Sequence, residues 1–175
     1  MRKVVWLGAL MVLTSALALA QTCTVKGAAG FGAAGAPDSD QPNAFFSFGV
    51  AQTTCNFPRH GERTWQSGWF SLTTRQDSQV VSVTMFRLDE LTVDLENRTA
   101  SFRGQAVLAI RTRAGLERVR GTVQVSVADN RSRDGNGNPD TLQVAFFDGE
   151  GNQVFSYSGE VKRGDIVVFE RTGGR

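Results

Sequence analysis

The sequence predicts an all-β domain: an antiparallel sandwich or barrel of about eight or nine strands, with a meander as the first guess for their order. Three observations carry this. From residue 68 onward, apolar residues recur at every second position. The runs that alternate in this way are separated by short turns containing Gly, Asn or Asp, and after the first twenty residues no segment repeats with the 3.6-residue period of a helix. A parallel sheet would need crossover helices, and the turns are too short to hold them.

Taken in order, "AFFSFGVAQ" (44–52) reads as a buried strand, with Phe46 and Phe48 flanking Ser47. "TTCNFPRHGERTWQ" (53–66) reads as an irregular insert, because Pro58 and Gly61 break any period. "GWFSLTTR" (68–75) and "QVVSVTMFRL" (79–88) are strands, the second placing Val81, Val83 and Met85 on one face. In "ELTVDLE" (90–96), Leu91, Val93 and Leu95 oppose Thr92, Asp94 and Glu96, so that carboxylate pair reads as the solvent side. Asn97 begins a turn into "ASFRGQAVLAI" (100–110), and "RAG" (113–115) turns the chain into "LERVRGTVQVSVA" (116–128). "TLQVAFFD" (141–148), "QVFSYSGEV" (153–161) and "DIVVFE" (165–170) complete the set, with turns at "GEGN" and "KRG".

The first twenty residues have Arg2 and Lys3, a short apolar run and an Ala18-Leu19-Ala20 ending before Gln21. This is the pattern of a secretory signal peptide, its apolar run too short for a membrane span. The expectation is an exported chain, periplasmic or extracellular, with no transmembrane anchor after cleavage. Residues 21–43, which include "KGAAGFGAAGAPDSDQPN", are rich in Gly, Ala and Pro and read as a loosely ordered arm before a single β domain at 44–170. The whole chain has 19 Lys+Arg against 17 Asp+Glu, and Arg2 and Lys3 leave with the signal, so the mature chain is balanced. No stretch interleaves basic with aromatic residues, which gives a nucleic-acid role no electrostatic footing. In an oxidising compartment the two cysteines, Cys23 and Cys55, are expected to pair.

The series "AFFSFGV", "LDELTVDLENRTASFRGQAVL", "VRGTVQVSVADN", "DTLQV" and "YSGEVKRGDIVV" resembles the post-COAP domain, a small β domain of exported bacterial proteins. The likeness covers roughly residues 44–169 and is most specific at Val127–Asn130, Asp140 and residues 158–168. It implies a fold and a compartment; it brings no catalytic residue. The insert at 53–66 and the cysteine pair depart from that pattern.

Three places could carry chemistry. In "VADNRSRDGNGNPDTLQVAFFD" (127–148), Asp134, Asn136 and Asn138 stand at alternate positions between Asp129 and Asp140. Oxygen ligands at that spacing can wrap calcium, and the same residue types also satisfy tight turns, with Asp129 and Asp140 as turn-closing acceptors. The loop is not an EF-hand, because Pro139 occupies the glycine position and Ala145 the bidentate position. Trp65 and Trp69 could form an aromatic surface for a glycan or protein, or cap an open barrel end. His60 is the only histidine and no nucleophile motif accompanies it. The functional expectation is therefore a non-catalytic interaction or structural module of the envelope or extracellular space, with a protein or glycan partner. The alternatives are a barrel that holds a small apolar or sugar ligand, and a hydrolase using His60.

Overall fold

The structure is a computed structural model that describes residues 22–57, 60–76, 78–131 and 137–174. Residues 1–20, read as a signal peptide, and Asp134 and Asn136 lie outside the described residues. Eight strands form one closed barrel: β1 Thr22–Gly35, β2 Ala44–Phe57, β3 Gly61–Gln76, β4 Gln79–Asp94, β5 Thr99–Arg111, β6 Leu116–Ala128, β7 Thr141–Asp148 and β8 Gln153–Gly174. Each strand pairs antiparallel with the next, and β8 returns to pair with β1. The predicted all-β meander is therefore present, and of sandwich and barrel it is the barrel.

Eight strands enclose a space that side chains can fill, and here they fill it. Phe46, Phe48 and Val50 of β2 meet Phe70 and Leu72 of β3, Val83 and Met85 of β4, Phe102 and Leu108 of β5, Val123 and Val125 of β6, and Phe146 of β7, all buried. Phe102 is the hub, its ring 5.7 Å from that of Phe48 and 5.9 Å from that of Phe70. Most outward positions of β4 to β7 are polar, for example Ser101, Arg103 and Gln105. That alternation is the reverse of a lipid-facing barrel, which is apolar outside.

Two expectations fail at the N-terminal side. Residues 22–35, read as part of an arm, are β1 and close the barrel. Their small side chains are what the barrel needs there: a Cβ on Gly30 would lie 2.7 Å from the Phe48 ring. The Phe rings of β2 fill the space a larger β1 residue would occupy, so the strand reads as a Gly/Ala loop. The supposed insert at 53–66 is likewise the end of β2 and the start of β3, joined at a turn closed by His60 N–H donating to Phe57 O. Two boundaries also vanish. Residues 79–94 form one strand bent by bulges near Phe86 and Asp89, and β8 runs on through "KRG".

The barrel is not of even height. β3 pairs with β4 only over Phe70–Gln76, and its stretch 61–69 pairs with β2 alone. β7 begins at Thr141 opposite Glu160, whereas β8 continues along β1 to Gly174. The outer parts of β8, β1, β2 and β3 thus leave the barrel as a four-stranded flange. Its inward-facing side is polar and cross-bonded: Thr54–Thr64 hydroxyls at 2.9 Å, Gln66 Nε2 to Gln52 Oε1 at 3.0 Å, and Lys26 to Glu170 at 4.0 Å. The predicted Cys23–Cys55 disulfide joins directly paired residues of β1 and β2 near the flange tip, with Cα atoms 4.1 Å apart.

Candidate functional site

Where β7 stops short, β8 would present unpaired backbone to solvent, and Asp129, Arg131 and Asp140 cover it. Asp140 has no exposed surface. One of its carboxylate oxygens accepts N–H from Asn130 at 3.0 Å and Arg131 at 2.9 Å, and the other accepts from Ile166 N at 3.1 Å. Its carbonyl accepts from Val161 N at 2.8 Å. Asp129, also buried, accepts from Val168 N at 3.2 Å through one oxygen and from the Arg98 guanidinium through the other. The Arg131 guanidinium donates to Val161 O at 3.1 Å and Gly164 O at 3.2 Å. Two aspartates and an arginine therefore stand in for a missing length of strand. Burying these charges is tolerable because each has a partner.

Arg98 sits in the β4–β5 turn with φ at 52°, the left-handed region that a non-glycine residue rarely enters. Asp94 holds that turn by accepting from Asn97 N at 3.0 Å, which with the Asn97 side chain draws the Asp94 carboxyl below its usual range. On the outer face of β8, desolvation against the loop raises the Asp165 carboxyl above the usual carboxylate range, and the neighbouring Asp140 and Asp129 charges push the same way. Asp129 and Asp140 are thus where sequence reasoning put them, at the strand ends, acting as acceptors. Asn138 is exposed. Among the described residues no group of three or more His, Cys, Asp or Glu is placed to hold a metal ion. The calcium reading turns on Asp134 and Asn136, outside the described residues. Sequence reasoning missed Arg98, Arg131 and Asp165, which stand far from the loop's acceptors in sequence or carry no acceptor themselves.

The second feature is the outer face of the flange. Residues paired across its four strands form rows: Val167, Ala29, Gly49 and Trp69; then Phe169, Gly27, Ala51 and Ser67; then Arg171, Val25, Thr53 and Trp65. The floor is small and the margins are large. Trp65 is 47% exposed, Trp69 52% and Val167 44%, with Phe31 at 70% farther along β1. The Trp69 indole overlies Gly49, where an added Cβ would come within 3.3 Å of it. The Arg171 guanidinium stands 5.3 Å from the Phe169 ring and that of Arg63 6.0 Å from the Phe57 ring. Trp65 and Trp69 share this face and point out to solvent, so they do not cap the barrel end.

No family model, curated protein or solved structure matches this chain. What it does is therefore read from its own surfaces. His60 is exposed in the β2–β3 turn, whereas a hydrolase would need it held against an acid and a hydroxyl. Because Phe and Val side chains occupy the barrel interior, a small-ligand reading has its support outside the barrel. There, an open depression of about 530 Å³ is lined by Pro42, Asn43, Phe45, Thr73, Thr74, Arg75 and Val80.

Proposed function

We propose that the protein is an exported, non-catalytic interaction module of the cell envelope or extracellular space, whose contact surface is the outer face of the flange and whose partner is an anionic glycan. The observation that carries this reading is the placement of Trp65 and Trp69 on one solvent face, with Arg63 on the same strand and Arg171 at the opposite margin, across a floor of small residues. Indole rings stack on the apolar faces of sugars, and guanidinium groups pair with carboxylate or phosphate. A rigid sheet presents both kinds of group without an ordering penalty on binding. The resemblance to the post-COAP domain and the Cys23–Cys55 disulfide support an oxidising location outside the cytoplasm.

The test is co-sedimentation of the mature protein with isolated peptidoglycan and with an insoluble acidic polysaccharide, with cellulose as a neutral control. Wild type should sediment with an anionic matrix, and Trp65→Ala/Trp69→Ala should lose at least about tenfold in affinity, roughly the worth of two aromatic contacts. Equal retention of wild type and the double variant would overturn the contact face.

A further inference from the structure

The edge of the flange carries a second surface that does not depend on what its face binds. Among the described residues, no strand pairs with β3 on its β4 side from Gly61 to Trp69. The facing edge of β4 is guarded by two bulges and by Arg87, Asp89 and Glu90. Bulges and charges are the usual protection of an open edge. The β3 edge has neither over "TWQSGW" (64–69), and its register with β2 runs unbroken.

The direction of its backbone groups follows from one bond: Arg75 N–H donates to Asn43 O, just ahead of β2. Odd-numbered residues of β3 therefore turn their amides toward β2, and even-numbered residues turn theirs away. Glu62, Thr64, Gln66 and Gly68 present N–H and C=O to the open side.

We infer that this edge is a self-pairing site, and that two copies of the chain join β3 to β3, antiparallel, about a two-fold axis through Trp65. The open stretch is centred on that residue, so one register pairs all of it. Glu62 then exchanges bonds with Gly68 of the second copy, and Thr64 with Gln66; these are the residues whose amides face outward. No like charges are opposed, because Arg63 meets Ser67 and Glu62 meets Gly68. On the outer face Trp69 meets Gly61, where an added Cβ has nothing within 4 Å. The Trp69 ring is then bracketed by a glycine on each side, as Gly49 already brackets it within the chain. Arg63 falls diagonal to Trp65 of the second copy, within reach of its ring. The flanges merge into one eight-stranded sheet.

Edge-to-edge contact among the four indoles covers only part of their exposed surface, roughly 200 Å², and leaves their outward faces open. Even with the backbone pairing added, the contact stays at the small end of dimer interfaces, which start near 1,200 Å². The dimer is accordingly a weak one that forms with rising concentration.

Sedimentation velocity of the oxidised mature protein from micromolar to millimolar should show a monomer–dimer equilibrium. Thr64→Pro removes an outward amide at a position where an edge strand tolerates proline, and should weaken the dimer at least tenfold. Directly opposed, non-hydrogen-bonded residues have the Cα spacing of a disulfide. Trp65→Cys should therefore cross-link two copies on mild oxidation far faster than Phe86→Cys, a more exposed site on β4. The inference falls if the protein stays monomeric over the range, if Thr64→Pro folds and dimerises like wild type, or if positions 65 and 86 cross-link at the same rate. Should Thr64→Pro fail to fold, the cross-linking comparison decides. A monomer that still sediments with an anionic matrix through Trp65 and Trp69 would remove the dimer and leave the glycan reading intact.

Discussion

At the scale of single residues, Asp140 is the one whose side chain does most to hold distant parts together. Three backbone amides, from Asn130, Arg131 and Ile166, converge on its carboxylate. Asp140→Ala leaves all three without that acceptor, the Ile166 amide in a buried place and the other two in a half-buried one, and should lower the unfolding free energy by about 3 kcal/mol in urea titration. Asp140→Asn, which keeps one acceptor oxygen, should lose about half as much. An alanine variant within about 0.5 kcal/mol of wild type would show that the loop is not fastened to β8 through this residue. Asp148 serves the β7–β8 turn in an exposed setting, accepting from Glu150 N and Asn152 N at 2.9 Å each. The bond from Asn152 is the main reason its carboxyl titrates below the usual range. A lowered pKa in the folded state contributes stability above the ordinary Asp value, and that contribution is lost as pH falls through the folded value. Asp148→Asn should therefore melt below wild type at neutral pH, and the two melting curves should converge as pH is lowered from about 4. A gap that stays constant with pH would rule out this origin.

Among the elements, the strands that alternate cleanly were legible from their residues, and those that do not were misread for identifiable reasons. β5 and β6 show Phe102, Ala106 and Leu108, and Val123, Val125 and Val127, on one face, and the structure buries every one. β4 and β8 read as two strands each because bulges shift the alternation by one residue, which a period-2 pattern cannot distinguish from a break. Tight curvature in these strands depends on backbone contact. A Cβ on Gly121 would lie 1.9 Å from Phe147 O, where β6 and β7 close on one another. Gly121→Ala should destabilise by about 2–3 kcal/mol in urea, the range of overpacking at a site that cannot give. Gly149→Ala, in a turn where nothing lies within 4 Å, should be within about 0.5 kcal/mol of wild type. Equal effects of the two would mean that β6 and β7 do not approach so closely.

For the whole molecule, closure is the decisive event, and β1 performs it. It lies between β2 and β8 along its full length and supplies the small wall against which Phe46 and Phe48 pack. A chain lacking 22–35 would expose two long strand edges and part of the aromatic core. It should lose the cooperative urea transition and the near-ultraviolet circular dichroism of the packed rings. Cooperative unfolding like that of wild type would return this segment to the status of an arm.

The sequence by itself determined what depends on neighbours along the chain. Alternation set the all-β class, turn residues set the hairpins, and two cysteines behind a signal-like start set the expectation of a disulfide. Asp129 and Asp140 were legible as turn acceptors, since an aspartate at a strand end has that use in any fold. Only the tertiary structure decided the rest. That a Gly/Ala run is a strand depends on the rings opposite it. That Arg98 meets Asp129 and Arg131 meets β8 depends on how β5 to β8 line up side by side, which brings together residues more than thirty positions apart. And Trp65 and Trp69 stand on a flange only because β3 and β4 part beyond Phe70 and Met85, a divergence that no local pattern encodes.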